Sequence, residues 1–121
     1  MYKLLTHPYA QCGYDVDSSF DHVATFYSYE TPIFKIRRVH APDNDICAVI
    51  TTIQKPIHSV STARQVTWAL YEQVYSVETA RFIRRAMKKL DSDSFITVWY
   101  NLNVGVWTIF VGDKCVKTVK R

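Results

Sequence analysis

The chain has 121 residues, of which 48% are hydrophobic and 14% aromatic, and its formal net charge is +4 at pH 7. Only three residues are glycine and four are proline, which excludes a disordered or collagen-like chain. This length predicts a single globular domain over residues 1–121, large enough to bury a core without metals or disulfides. The high aromatic content indicates a substantial β component.

The cysteines indicate the cellular compartment. Cys12, Cys47 and Cys115 are odd in number and irregularly spaced, so at least one is unpaired within a monomer. This pattern favours a reducing compartment over a secreted disulfide scaffold. The longest apolar run, residues 104–111, is far shorter than the roughly 20 residues that span a bilayer. We therefore expect a cytoplasmic protein that does not enter a membrane.

Charge is distributed unevenly along the chain. Residues 1–60 hold five Lys or Arg and six Asp or Glu, whereas residues 61–121 hold ten and five. A basic surface concentrates phosphate-bearing ligands, so this asymmetry favours an anionic partner. The alternative interpretation is an ordinary solvated charged face.

The first half of the chain predicts strands. Residues 2–6 predict a short edge strand, and the mixture of Gly, Asp and Ser in residues 9–21 predicts a loop. Three segments rich in β-branched and aromatic residues predict an antiparallel meander. These segments are residues 23–29, 33–40 and 46–53. Pro32 has no backbone N–H and is expected to interrupt the strand pattern between the first two segments.

Two amphipathic helices are predicted over residues 60–74 and 77–90, because apolar residues recur there at spacings of three and four. Each helix follows a serine suited to cap its N-terminus, Ser59 or Ser76. The two starts, SVSTAR and SVETAR, share five of six residues. A duplicated anion site would explain this repeat, but consecutive antiparallel helices point their N-termini to opposite ends. We therefore favour a shared helix-start pattern as its explanation.

Three further strands are predicted over residues 95–100, 106–111 and 115–119, the last two joined by a tight turn at Gly112-Asp113. The order of strands, two helices and strands predicts an α+β fold. We expect a mostly antiparallel sheet of about six strands, with two consecutive helices packed on one face.

The second helix concentrates the positive charge, and nearby strands offer aromatic rings that can stack on a base. Its cap residues are expected to donate to a phosphate. The expected ligand-binding residues are Ser76, Thr79, Arg81, Arg84, Arg85, Lys88, Trp99 and Tyr100. The leading hypothesis is a non-enzymatic protein without a cofactor that holds an anionic nucleotide, a nucleic acid or an acidic partner surface. A homo-oligomer is compatible with this role.

Two alternatives remain open. Helices 60–74 and 77–90 are joined by a very short connection and the second is basic, as in a helix-turn-helix DNA-binding regulator. The acidic residues Asp15, Asp17 and Asp21 are suited to a small metal-dependent hydrolase or nuclease. The four histidines are scattered along the chain, and none pairs with a cysteine at zinc-ligand spacing, so no metal site is predicted.

Two segments carry a resemblance to a known family. Residues 27–33, YSYETPI, and residues 75–81, YSVETAR, are similar to a YSYxTPI element and a YSxxTxR helix start found in a family of small uncharacterised proteins of tailed bacteriophages. The family usually continues with His where this chain has Phe82. The resemblance implies a phage-derived protein in the bacterial cytoplasm. Small phage proteins without enzyme motifs often antagonise host immunity, by sequestering a nucleotide signal or by blocking a defence protein.

Overall fold

The computed structural model describes residues 2–5, 12–17, 23–28, 31–40, 45–53, 60–90 and 95–121. Eight strands form one sheet in which neighbours follow the chain order and every pairing is antiparallel. The strands are β1 (Tyr2–Leu5), β2 (Cys12–Asp17), β3 (Val23–Ser28), β4 (Thr31–His40), β5 (Ile46–Thr52), β6 (Phe95–Asn101), β7 (Val106–Val111) and β8 (Lys114–Lys120). Two helices, α1 (Val60–Val74) and α2 (Val77–Met87), connect β5 to β6. The predicted α+β class with an antiparallel sheet is confirmed.

Two local predictions are wrong. Residues 12–17 form β2 rather than a loop, because hydrogen bonding to β1 on one side and β3 on the other outweighs the low strand propensity of Gly and Asp. Pro32 lies inside β4, opposite Tyr27, at an irregularity in the pairing between β3 and β4. A bulge is one of the few places where a strand tolerates a residue without a backbone N–H.

Side chains alternate between the two sides of the sheet. On β6, Ile96, Val98 and Tyr100 are buried in the core, whereas Phe95 and Trp99 are exposed. Residues that pair across the strands lie on the same side of the sheet, as buried Val98 does opposite buried Ile109. We call the side with the core residues the inner face and the opposite side the outer face. Apolar residues of both helices belong to the same buried cluster as the inner face.

Three side-chain hydrogen bonds join α1 to the inner face. Ser28 of β3 donates from its hydroxyl to the Gln65 side-chain oxygen. Near the end of the helix, the Tyr100 hydroxyl donates to the carbonyl of Gln73 at 2.8 Å. The Trp107 indole Nε1 donates to the carbonyl of Val74, also at 2.8 Å. These bonds place α1 over the inner face, while the packing of both helices on one face stays a prediction.

Only Tyr75 and Ser76 separate the two helices. Tyr75 adopts a φ of 58°, in the left-handed region that usually requires glycine. Ser76 is extended and caps α2, with its side-chain oxygen accepting from the Thr79 backbone N–H at 3.2 Å. The helix ends at Met87, three residues before the predicted end, where the Lys89 N–H bonds to the Ala86 carbonyl in a tighter turn.

The positive φ of Tyr75 generates a stability prediction with a matched control. Tyr75→Gly removes a steric cost of about 1 kcal/mol, partly offset by the greater freedom of glycine in the unfolded chain, so the free energy of unfolding should rise by about 0.5 kcal/mol. Tyr71 is also an exposed tyrosine but lies within α1. Tyr71→Gly should therefore lower the free energy of unfolding by about 1 kcal/mol. Urea unfolding measures both changes. An equal loss in the two variants would contradict the strain assigned to Tyr75.

Candidate anion-binding surface

One side of α2 is buried and the other carries its basic residues. Ala80, Ile83 and Met87 lie in the core, which directs the intervening positions outward. Arg81 and Arg85 are exposed, and Arg84 and Lys88 are half-buried. Among the residues that the structure describes, none of these four cations forms an ion pair or a hydrogen bond with a carboxylate. Glu78, one turn before Arg81, is the acidic residue in α2.

The strand β8 extends this basic region beyond the helix. The ammonium Nζ of Lys117 lies 5.9 Å from the centre of the Phe82 ring of α2, which is a cation–π distance. Lys117 pairs with Ile109, an inner-face position. We call the resulting region the α2–β8 basic surface, formed by Arg81, Arg84, Arg85, Lys88 and Lys117. Residues 77–90 and 112–121 together hold nine basic and two acidic side chains, so few internal carboxylates compete for these cations.

Lys117 is a member of the α2–β8 basic surface that the sequence pattern does not indicate. The contact with Phe82 joins residues far apart in the chain, and no local spacing indicates it. Residues 114–121 are strongly basic, with Lys114, Lys117, Lys120 and Arg121. Cations on an edge strand also prevent pairing with another chain, so this composition does not by itself indicate a binding residue.

The two hydroxyl residues at the start of α2 have structural surroundings. Ser76 is 9% exposed and its hydroxyl oxygen caps the helix. Thr79 is fully buried, and within the described ranges its Oγ1 has no hydrogen-bond partner. Both were expected to donate to a phosphate. Their burial withdraws them from the α2–β8 basic surface, since a solvated ligand cannot reach a fully buried hydroxyl without opening the core.

Trp99 and Tyr100 are consecutive residues that the sheet separates. Tyr100 is 2% exposed and lies on the inner face, where it bonds to α1. Trp99 is 44% exposed and lies on the outer face. The structure therefore does not bring the two rings together on one face of the sheet.

Burial also raises the pKa of the Tyr100 hydroxyl, while the charge of the Arg38 guanidinium and its hydrogen bond to the hydroxyl act in the opposite direction. Tyr100 is therefore protonated at neutral pH and able to donate to the Gln73 carbonyl. This carbonyl is among the last four of α1, which receive no hydrogen bond from a backbone N–H within the helix. Tyr100 thus acts as a structural anchor for the end of α1.

The alternative sites fare differently. The connection between α1 and α2 has two residues. The turn of a helix-turn-helix motif is longer, at about three to four residues. Asp15 and Asp17 lie two positions apart in strand β2, and Asp21 is outside the described residues. In the part of the chain that the structure covers, no three His, Cys, Asp or Glu side chains converge on a possible metal site.

Comparisons of this chain with protein-family models, curated proteins and solved structures gave no match. Within the described ranges, neither helix combines the length and the apolar composition needed to cross a membrane.

Tyr100→Phe tests the anchoring of α1. Loss of the hydroxyl leaves the Gln73 carbonyl without a donor, so the free energy of unfolding should fall by about 1 kcal/mol at pH 7. Because the pKa of Tyr100 is raised in the folded protein, the unfolded chain loses this proton first. Above about pH 10, where an unperturbed tyrosine ionises, the wild type should lose part of this contribution as pH rises.

The difference between wild type and Tyr100→Phe should therefore narrow above that pH, as measured by urea unfolding at several pH values. Tyr71→Phe is the control, because it removes an exposed hydroxyl and should change stability by less than about 0.5 kcal/mol. A difference that stays constant with pH would contradict the contribution assigned to Tyr100.

Proposed function

We propose that this chain is a non-enzymatic binding protein that holds a phosphate-bearing ligand, or the acidic surface of a partner, on the α2–β8 basic surface. The observation that carries the proposal is a set of five neighbouring cations without a carboxylate partner among the described residues. Such cations keep their full attraction for an external anion, whereas an internal ion pair would already have satisfied them.

The residue types favour phosphate. A guanidinium presents planar N–H donors that match two phosphate oxygens at once, and such charge-assisted pairs are stronger than neutral hydrogen bonds. Arg81 and Arg85 are one helical turn apart and both are exposed, so they can contact the same ligand. Arg84 is half-buried, and its Nε has no hydrogen-bond partner among the residues that the structure describes.

The biological setting is the second part of the proposal. The resemblance of residues 27–33 and 75–81 to a tailed-bacteriophage family supports a role in phage counter-defence in the bacterial cytoplasm. A basic binding surface is compatible with two routes to that end: sequestering a nucleotide signal, or covering an acidic surface of a host defence protein.

Paired charge variants test the surface. Arg81→Ala/Arg85→Ala should raise the dissociation constant for the bound nucleotide by about 100-fold, because the two lost charge-assisted bonds cost about 1.5 kcal/mol each. Lys35→Ala/Arg37→Ala is the matched control, since both residues are exposed on β4 and their loss changes the net charge equally. The control should bind cyclic di-AMP or ADP-ribose as the wild type does.

The measurement is thermal stabilisation by cyclic di-AMP, ADP-ribose and a short DNA duplex, followed by titration of each probe that stabilises the wild type. A probe that binds without turnover supports the proposal. Equal weakening in both double variants would mean that only the total charge matters. Wild-type affinity in Arg81→Ala/Arg85→Ala, or binding of none of the probes and no acidic partner, would contradict the proposal. Preferential duplex binding with a steep salt dependence would favour the DNA-binding alternative.

A further inference from the structure

The outer face of the sheet carries a group of aromatic side chains that the fold does not cover. Phe95 and Trp99 of β6 are 45% and 44% exposed. Phe110 of β7 is half-buried and pairs with Thr97, the residue between them on the same side of β6. We call Phe95, Trp99 and Phe110 the outer aromatic patch. None of the three contributes to the buried core cluster.

The pairing register determines how these rings are spaced. Phe95 and Trp99 are four residues apart on one strand, which corresponds to about 13 Å along the strand. Phe110 is diagonal to both, at roughly 7–8 Å from each on the neighbouring strand. The three rings therefore surround Thr97 as separate flat surfaces on one sheet, rather than stacking against one another in a core.

Cations lie in the same rows of the sheet. Lys35 is in register with Phe95 through Thr51, and Arg37 is in register with Phe110 through Val49 and Thr97. Both cations are exposed on the outer side of β4. Lys120, paired with Val106, adds an exposed cation at the other edge.

Acidic residues are absent from these rows over the described strands β3 to β8. The nearest in register, Asp15 and Asp17, belong to β2, where they share the rows of Lys35 and Arg37. The two cations lie midway in these rows, two strands from the acidic positions of β2 and two strands from β6. The outer face therefore combines exposed rings with cations placed between the rings and the acidic positions.

We propose that the outer aromatic patch binds single-stranded nucleic acid, with unpaired bases stacked on Trp99, Phe95 and Phe110 and the phosphate backbone near Lys35 and Arg37. Stacking of bases on exposed aromatic rings beside a basic track is how sequence-tolerant single-strand binding surfaces work. An exposed sheet face with two or three aromatic residues is one scaffold that presents bases in this way.

Charge argues against a second copy as the occupant. If two chains met through this face, each would bring three cations (Lys35, Arg37 and Lys120) and the two acidic positions of β2, so the interface would keep a net positive charge. A duplex fits less well too, because its bases are already stacked and paired and cannot reach the rings. This proposal uses different residues from the α2–β8 basic surface and does not depend on it.

The fluorescence of Trp99 gives a direct test. The other two tryptophans are shielded, since Trp107 is buried with its Nε1 bonded to Val74 and Trp68 is half-buried. A ten-nucleotide oligothymidylate at 50 mM salt should quench the emission of the wild type in a saturable titration. Trp99→Phe keeps an aromatic ring, so it should still bind a fluorescein-labelled copy of this oligonucleotide, as measured by fluorescence anisotropy. It should lose most of the quenching, because it removes the fluorescent indole of Trp99.

Two kinds of variant then separate stacking from charge. Trp99→Ala and Phe95→Ala should each weaken binding by about 5- to 100-fold, as expected for one lost stacking platform. Lys35→Ala/Arg37→Ala should reduce the slope of log affinity against log salt by about 1.4, corresponding to two phosphate contacts on a single strand. Val104→Ala is the control, because Val104 is 68% exposed on the β6–β7 turn and outside the patch.

The remaining outcomes overturn the proposal. Wild-type affinity in Trp99→Ala, equal binding of a duplex, or no binding at 50 mM salt would each do so. Self-association in sedimentation that Trp99→Ala abolishes, without oligonucleotide binding, would identify the face as a contact between copies. If Arg81→Ala/Arg85→Ala loses the oligonucleotide while Trp99→Ala keeps it, this proposal fails and the α2–β8 basic surface stands.

Discussion

The strand pleat of β6 determines which surface each residue of the second half can serve. Ile96 and Val98 are buried in the core, so the residues that alternate with them point to the opposite side. A shift of one residue in the pairing with β5 would exchange the two sets and bury Trp99 in place of Tyr100. The apolar inner set makes that shift very costly, and the exposure of Trp99 therefore follows from the burial of its neighbours.

The end of α1 is the second constraint, because it fixes where α2 begins. Tyr100 and Trp107 hold the carbonyls of Gln73 and Val74, which would otherwise be unpaired at the helix end. The chain then reverses within two residues, with the unusual backbone of Tyr75 making the turn. A short connection leaves α2 little freedom to rotate about its axis, and its buried Ala80, Ile83 and Met87 set the basic side outward.

The helices and most strands could be predicted from the local residue pattern. The predictions that failed are those in which pairing with neighbouring strands outweighs the local pattern. The 3.6-residue periodicity and the serine cap placed 60–74 and the start of α2 correctly. β2 was missed because Gly13, Asp15 and Asp17 are unfavourable in strands and only their partners on β1 and β3 explain the strand. In the candidate site, the cations of α2 were predictable from charge and helical spacing. Trp99 and Tyr100 were grouped by proximity in sequence, although a period of two already separates them.

Edge strand β8 contributes cations both to the α2–β8 basic surface and to the outer face. Lys117 pairs with the inner-face residue Ile109, whereas Lys120 pairs with Val106 on the outer side, so one strand supplies cations to both faces. The two regions nevertheless differ in physics. Attraction by exposed cations decays over about 8 Å at physiological ionic strength, whereas stacking on Trp99 is little affected by salt. We therefore expect the proposed single-strand site on the outer face to keep its preference for unpaired bases at higher salt, where the proposed phosphate binding on the α2–β8 basic surface is weakened most.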